Sequence, residues 1–305
     1  MKILLNFENN FIKKNNNFGG IETLNHNFFE RIKNKYKNLI IEKKKTKNFY
    51  DVIISSNDAR IFNKCKSNKN ILWLHNKLQL EKAFRKKQLY AILKNDISVV
   101  FVSKYLEKIT SRIFNFNKRY VVPNFLDKQF ENIKITYNRK PIIIWSVSRE
   151  KGLKEILYIW KNYINYLHPN AEFHIFGLKK NHSLKYINKN IFFHGRVSKK
   201  ELIKFYKKSM CSICLGYDET FCLNAIESMS CGVPVLSFKK TALISLVKNN
   251  KNGFKVDSFD ELKNKINKLI LLNKSQRIKL INSTHKFSQK YYFKNIEKKW
   301  MKIIS

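Results

Sequence analysis

The chain has 305 residues, 44% of them hydrophobic and 27% charged, which is enough for two domains of about 100 to 150 residues or one large one and is incompatible with disorder as the dominant state. Its longest apolar runs, Ile97 to Val102 and Pro141 to Val147, stop far short of the ~18 residues that span a bilayer and argue against an integral membrane protein. The net charge of +39 has the size of a nucleic-acid signal, yet only nine of the 61 basic residues are Arg, the residue on which base and phosphate readers lean.

A Lys excess beside abundant Asn and Ile is what drift toward AT-rich codons produces, so no specific nucleic-acid partner is expected. The positive field still attracts anionic lipid surfaces, polyanions and nucleotide phosphates.

In chain order, Met1-Lys2-Ile3-Leu4-Leu5 is followed at once by Asn6, too short for a secretory h-region. It reads as a first strand, Ile3 to Phe7, and a cytoplasmic protein is expected. Strand-like runs recur at Leu39 to Glu42, Val52 to Ser55, Ile71 to Leu74, Ile97 to Ser103 and Tyr120 to Val122, with helical patterns between them. Such alternation predicts parallel βαβ units, here a first domain over residues 1–125. Residues 126–140 are polar without a strong period and read as a linker. A second series follows over 141–286, with strands at Ile142 to Val147, Glu172 to Phe176, Ile191 to Phe193, Met210 to Leu215 and Val233 to Phe238. Its helices fit at Leu153 to Leu167, Lys199 to Lys208, Leu223 to Cys231, Leu243 to Asn249 and Asp260 to Leu272. Residues 287–305, amphipathic with Trp300 near the end, are expected to form a closing helix. Two doubly wound sheets of this kind bind ligands outside the carboxyl ends of their strands, which predicts a cleft between the domains.

The densest chemical signal runs from Gly216 through Asp218-Glu219-Thr220-Phe221-Cys222-Leu223 to Glu227 and then Met229, Cys231, Gly232, Val233 and Pro234. It reads as strand, acidic loop, helix, Gly stop and strand. Glu219 is placed at the helix entrance and Glu227 two turns into the helix, so their carboxylates stand about a ligand's length apart. Between them the N–H groups of Thr220 to Leu223 offer a place for phosphate oxygens. Singly, Glu219 is equally a complement to the helix dipole and Glu227 a solvated helix residue. Their joint spacing points to a nucleoside diphosphate sugar, with the sugar near Glu219 and the ribose near Glu227.

Glu219 and Glu227, separated by seven residues and followed by Met229, Gly232, Val233 and Pro234, resemble the E-x7-E signature of glycosyltransferase family 4. Further segments agree in order: Gly19-Gly20-Ile21-Glu22, His75 after Leu72-Trp73-Leu74, Phe101-Val102-Ser103, Val122-Pro123-Asn124, Lys151-Gly152-Leu153, Gly177, and Phe193-His194-Gly195-Arg196-Val197-Ser198. The resemblance implies the GT-B fold, an α/β architecture of two facing Rossmann-like domains with doubly wound parallel sheets and an interdomain cleft. It also implies a retaining hexosyltransferase, with a donor phosphate oxygen taking the acceptor proton in a same-face attack. Glu219, His75 and Lys151 are then the catalytic candidates: Glu219 and His75 hold sugar hydroxyls, and Lys151 neutralises the departing diphosphate. Glu227, Thr220, Phe221, Cys222, Leu223, Arg149, Gly19, Gly20 and His194 are the donor-binding candidates.

Two departures stand out. The family usually has Gly where this chain has Thr220 and Cys222, which leaves less room for backbone approach to the phosphates. The family's phosphate-binding Arg commonly precedes its Lys by about six residues, whereas Arg149 is two residues from Lys151.

Cys211 and Cys214 form a C-x-x-C, but residues three apart on a strand point to opposite faces. Five Cys in all, with no export signal, predict reduced thiols in packing roles. With no D-x-D and no His cluster at ligand spacing, neither a catalytic metal nor another cofactor is expected. The expected partners are a nucleoside diphosphate sugar donor and a glycan or lipid-linked acceptor, as in synthesis of cell-envelope polysaccharide or lipopolysaccharide. Lys77 to Asn95 reads as a basic helical stretch with Leu78, Phe84, Leu89, Ile92 and Leu93 as its apolar component. That pattern suits an anionic membrane surface, with the enzyme peripheral at the inner face; it equally suits an ordinary helix packed on its own sheet. The competing function is a GT-B-like nucleotide-sugar epimerase or a non-catalytic nucleotide-sugar-binding protein.

Overall fold

The computed structural model describes residues 1–7, 20–43, 45–146, 150–178 and 190–305. The chain divides into two compact units, Met1–Asp127 with Phe293–Ser305, and Lys128–Tyr292. The first unit contains β1 (Lys2–Asn6), α1 (Gly20–Lys35), β2 (Ile40–Glu42), β3 (Phe49–Ser56), β4 (Lys66–Leu74), α2 (Leu80–Arg85), α3 (Gln88–Lys94), β5 (Ile97–Phe101), α4 (Lys104–Ile109) and β6 (Arg119–Val121). Its strands form one sheet in the order β2-β1-β3-β4-β5-β6, every neighbouring pair parallel.

The second unit contains β7 (Ile142–Trp145), α5 (Leu153–Ile159), α6 (Asn165–Leu167), β8 (Glu172–Phe176), β9 (Ile191–Gly195), α7 (Lys199–Lys208), β10 (Cys211–Ile213), α8 (Leu223–Ser230), β11 (Val235–Phe238), α9 (Leu243–Leu246), β12 (Gly253–Val256), α10 (Phe259–Ile270) and α11 (Lys274–Ser288). Its sheet runs β12-β11-β10-β7-β8-β9 and is parallel throughout. The central strands read as unbroken apolar runs, Ile142–Trp145 being buried along its whole length, because both faces of a parallel sheet are covered.

Four features differ from the sequence expectation. The strand β12 has no counterpart there, since Gly253-Phe254-Lys255-Val256 is short and carries a Lys. Gly253 admits it, for a Cβ at that position would lie 2.0 Å from the carbonyl oxygen of Val235. Second, α5 passes into a π-helical turn at Trp160–Ile164 before α6. Trp160 is fully buried there and its ring stacks on Phe173 with centroids 5.1 Å apart.

Third, the segment expected as a linker is fixed to the second unit from Lys128 onward. Phe130 is buried with its ring 6.4 Å from that of Tyr206. The buried Arg139 donates to the carbonyl oxygens of Tyr206 at 2.5 Å and Cys231 at 2.7 Å. Thr136 Oγ1 also donates to the carbonyl of Lys207 and the Tyr137 hydroxyl to Asn282 Oδ1; contacts so irregularly spaced give the sequence no period.

Fourth, 287–305 is not one helix. The helix α11 ends at Ser288, a 3-10 turn spans Gln289–Tyr291, and α12 covers Phe293–Ile304. That last helix belongs to the first unit, where Trp300 packs against Phe28 at 5.0 Å and Trp73 at 4.8 Å. Its buried Glu297 accepts from Lys35 Nζ at 2.7 Å and from the Tyr36 hydroxyl.

Candidate functional site

In the second sheet β7 leads to β8 and β9 on one side, while β10, β11 and β12 lie on the other. The order therefore reverses between β7 and β10. In open parallel sheets this is where neighbouring loops diverge and a ligand enters at the carboxyl ends of the strands. A cavity of about 300 Å³, part of it open to solvent, lies there, lined by Trp145, Lys151, Leu215, Gly216, Glu219 and Cys222 among others.

Each wall has a local cause. After β7, the turn into α5 is closed by Gly152 with φ +89°; a Cβ there would stand 2.3 Å from Leu215 Cδ1. The turn thus presses against the β10 loop so closely that a side chain at 152 would displace Leu215, and Lys151 lines the pocket beside it. Its Nζ lies 4.8 Å from the centroid of the Tyr217 ring, and Lys240 Nζ lies 5.5 Å from the same ring. Both ammonium groups make cation–π contacts with the one ring, which keeps positive charge beside the cavity that Lys151 and Tyr217 line.

The acidic loop is braced from the β11–α9 side. Thr241 Oγ1 donates to the carbonyl of Gly216 at 2.8 Å, and the Ala242 N–H donates to the carbonyl of Glu219 at 3.2 Å. Glu219 is half-buried and shares the cavity wall with Lys151 and Cys222.

The helix α8 starts at Leu223, with Cys222 as its N-cap in the left-handed region (φ 74°, ψ 81°). Thr220 and Phe221 therefore precede the helix, and Glu227 stands one turn into it rather than two. Phe221 is buried with its ring 5.8 Å from Tyr291, so it packs into the unit instead of presenting a surface to the pocket. Leu223 and Asn224 are half-buried, and the Asn224 side-chain amide donates to the carbonyl of Ser146, tying the helix start to the end of β7.

Beneath it the Ser146 hydroxyl is hydrogen-bonded to that of the buried Tyr206 at 2.7 Å. Burial first, and then the charge of Glu227, push the Tyr206 hydroxyl well above its ordinary pKa. Glu227 is half-buried, its charge felt at the Tyr206 hydroxyl, and it is not among the residues that line the cavity.

The thiol of Cys222 is a hydrogen-bond partner of Cys214, and that contact together with burial holds its pKa well above the usual thiol value. The C-x-x-C neighbour Cys211 is buried separately, its thiol pushed up to about 12 by burial. All five Cys are free and buried. Among the described residues no three His, Cys, Asp or Glu side chains are grouped so as to hold a metal ion.

His194, at the end of the edge strand β9, is two strands from β7. Its Nε2 is hydrogen-bonded to His174 Nδ1 at 2.8 Å, and His174 Nε2 to Glu172 Oε2 at 2.8 Å; burial lowers the pKa of both imidazoles.

His75 follows β4 in the first unit, buried, with its ring centroid 4.4 Å from that of Trp73. Its backbone N–H donates to Asn57 Oδ1 at 2.8 Å. Burial lowers its pKa to about 3, so the ring is neutral at pH 7. Gly20 is the exposed first residue of α1. Gly19 and Arg149 lie outside the described residues.

Lys240 and Tyr217 were not singled out from the sequence. Their signal was positional, since they follow β11 and β10, the strands on one side of the switch point.

The sequence model of the family described as glycosyl transferases group 1 matches residues 127–287, just over half of the chain. Over 59 residues, 19% of this chain, there is 34% identity to the D-inositol 3-phosphate glycosyltransferase of Acidothermus cellulolyticus, of which the match covers only 13%. Among solved structures, Anabaena Alr3699/HepE in complex with UDP and glucose is similar with a TM-score of 0.71 and 15% identity, over 99% of this chain and 98% of that one. The apo form of the lipopolysaccharide outer core galactosyltransferase WaaB gives 0.70 and 15% identity, over 100% and 99%. TarM gives 0.66 and 17% identity over 83% of this chain; this chain covers 54% of TarM. The likenesses show the GT-B fold, with two Rossmann-like units each built on a six-stranded parallel sheet.

Proposed function

The chain belongs to the glycosyl transferases group 1, and from that premise we propose that it is a retaining hexosyltransferase of glycosyltransferase family 4. In this reading it moves a sugar from a nucleoside diphosphate donor to a hydroxyl of a glycan or lipid-linked acceptor, in cytoplasmic steps of cell-envelope polysaccharide or lipopolysaccharide synthesis. The observation that carries the reading is the cavity at the switch point, where a carboxylate, Glu219, and a cation, Lys151, line one wall.

That pairing suits the two ends of a sugar diphosphate. As the glycosidic bond breaks, negative charge grows on the diphosphate, and a preplaced ammonium stabilises that charge more than it stabilises the bound donor. Lys151 supplies this, seconded by Lys240 beside the same ring. The Glu219 carboxylate accepts from sugar hydroxyls and fixes the anomeric carbon relative to the acceptor. Glu227 is assigned to the ribose hydroxyls. The acceptor proton passes to a donor phosphate oxygen on the face of attack. No metal is required by this scheme, because the charge on the diphosphate is met by ammonium groups.

A thermal-shift screen against nucleoside diphosphate sugars tests it: a donor at 100 times its Kd should add about 2.7 kcal/mol to stability. NMR of the product should then show the donor's anomeric configuration. Stabilisation by no nucleoside diphosphate sugar would overturn the reading. Binding without transfer to any hydroxyl acceptor would leave the epimerase or non-catalytic binding alternative.

A further inference from the structure

The basic stretch before β5 is two short helices, α2 and α3, joined at Lys87 in the left-handed conformation (φ 55°). This break separates side chains that one continuous amphipathic helix would have placed together. Ala83, Gln88, Ala91 and Ile92 are buried, packing the two helices against each other and against the turn Ala59–Asn63. Phe84 is 75% exposed, Tyr90 61%, Leu93 57% and Leu80 39%. Leu80 and Phe84 are four apart on α2, and Tyr90 and Leu93 three apart on α3, so each pair shares a face.

Exposed among them are Lys82, Arg85, Lys86, Lys87 and Lys94, against the carboxylate of Glu81, with the exposed Asp96 and the half-buried Glu107 following before Ile113. Lys94 Nζ lies 5.4 Å from the Tyr90 ring centroid. The pattern continues on α4 and the turn after it, where Ile109 is 41% and Ile113 64% exposed beside the exposed Lys108 and Arg112. Right-handed crossovers from β4 to β5 and from β5 to β6 put these helices on the same face of the first sheet.

A single exposed apolar side chain is ordinary, but this many along three successive helices on one side of a sheet, with cations between them, is not what either water or a protein partner favours. A protein interface gathers its apolar residues at the centre and excludes Lys, and a polyanion leaves Phe84 and Leu93 without a role. A bilayer interface accommodates both, with rings and aliphatic chains at the headgroup level and long cationic side chains reaching lipid phosphates. No helix among the described residues is long and apolar enough to cross a membrane, so the contact is of the kind that lies on the surface. We propose that this face of the first unit, from Leu80 to Ile113, seats on an anionic phospholipid surface with Phe84, Tyr90 and Leu93 entering the headgroup layer. The proposal goes beyond sugar transfer and stands on the surface of one unit alone, so a failed donor screen leaves it untouched.

Because Trp73, Trp145, Trp160 and Trp300 are all buried, F84W would add an exposed reporter. On phosphatidylglycerol vesicles its added emission should shift to the blue and be quenched by brominated acyl chains, and on phosphatidylcholine vesicles it should not. In flotation with the acidic vesicles, the triple change of Phe84, Tyr90 and Leu93 to Ser, which alters no charge, should lower recovery about fivefold or more. Y166S, at an 82% exposed ring in the second unit, should float as the parent does. Emission from F84W that stays unshifted on the acidic vesicles would overturn the proposal. So would parental flotation of the triple variant, which would mean adsorption by net charge alone, or equal loss in Y166S.

Discussion

The ammonium of Lys151 stands 4.8 Å from the centre of the Tyr217 ring, and this contact fixes a cation in the wall of the cavity that Glu219 lines. The ring holds Lys151 through its π face, so Y217F should keep activity near the parent, while Y217A should lower it several-fold by releasing the cation. K151A should lower kcat/KM about 100-fold, mostly in kcat, because the charge it meets develops as the bond breaks. K240A should have a smaller effect. Steady-state rates with the donor found by thermal shift check the order; a K151A enzyme with parental kcat would remove Lys151 from the mechanism.

Cys222 occupies a backbone conformation that favours Gly, with φ +74°. A side chain there costs about 1 kcal/mol or more, offset in part by the buried contact with Cys214. C222G relieves the backbone while C222A keeps the strain and loses the sulfur, so C222G should be the more stable of the two by about 1 kcal/mol in urea unfolding. Equal stabilities would show that the backbone relaxes once the thiol is gone.

That position also shows how far the sequence could be read. Cys222 where the resembled family has Gly points to less room for backbone approach to phosphates, yet the backbone adopts the glycine-like turn anyway. The change is one of side chain and not of path. The strands of the first sheet were legible because buried parallel strands are unbroken apolar runs; that Glu219 and Lys151 share a cavity was readable from their places in motifs and not from residue type, since Lys is common throughout the chain. What escaped was set by contacts far apart in sequence. Arg139 fixes the supposed linker through the carbonyls of Tyr206 and Cys231, Lys240 reaches the ring of Tyr217, and Phe221 turns to Tyr291. None of these leaves a periodic trace.

His75 gives the protein an acid-sensitive step. Its folded pKa, about 3, lies below the unfolded value of about 6.5, so the unfolded chain binds the proton more readily. Its contribution is whole above pH 6.5 and is lost progressively as the pH falls toward 3. At pH 5 the loss is about 2 kcal/mol. Urea unfolding at pH 7.5 and pH 5 should show that difference in the parent, and H75N, which cannot titrate there, should show a drop smaller by about that amount. An identical pH dependence in both would mean that other groups carry the acid sensitivity.

The helix α12 is held on the first unit by two kinds of contact, and their sizes differ. Lys35, whose side chain is 56% exposed, pairs with a Glu297 that is 2% exposed, and Tyr36 donates to the same carboxylate, a bond that pushes the Tyr36 hydroxyl up to about 12. Removing Glu297 frees a lysine that water can solvate, so E297A should cost about 1 to 2 kcal/mol. Trp300 is fully buried between Phe28 and Trp73, and W300A should cost about 3 to 5 kcal/mol through the cavity it leaves. In both variants the loss should fall on the first unit, while Trp145 and Trp160 of the second keep their buried emission through the first transition. If E297A proved as costly as W300A, the carboxylate and not the aromatic packing would be what secures the end of the chain.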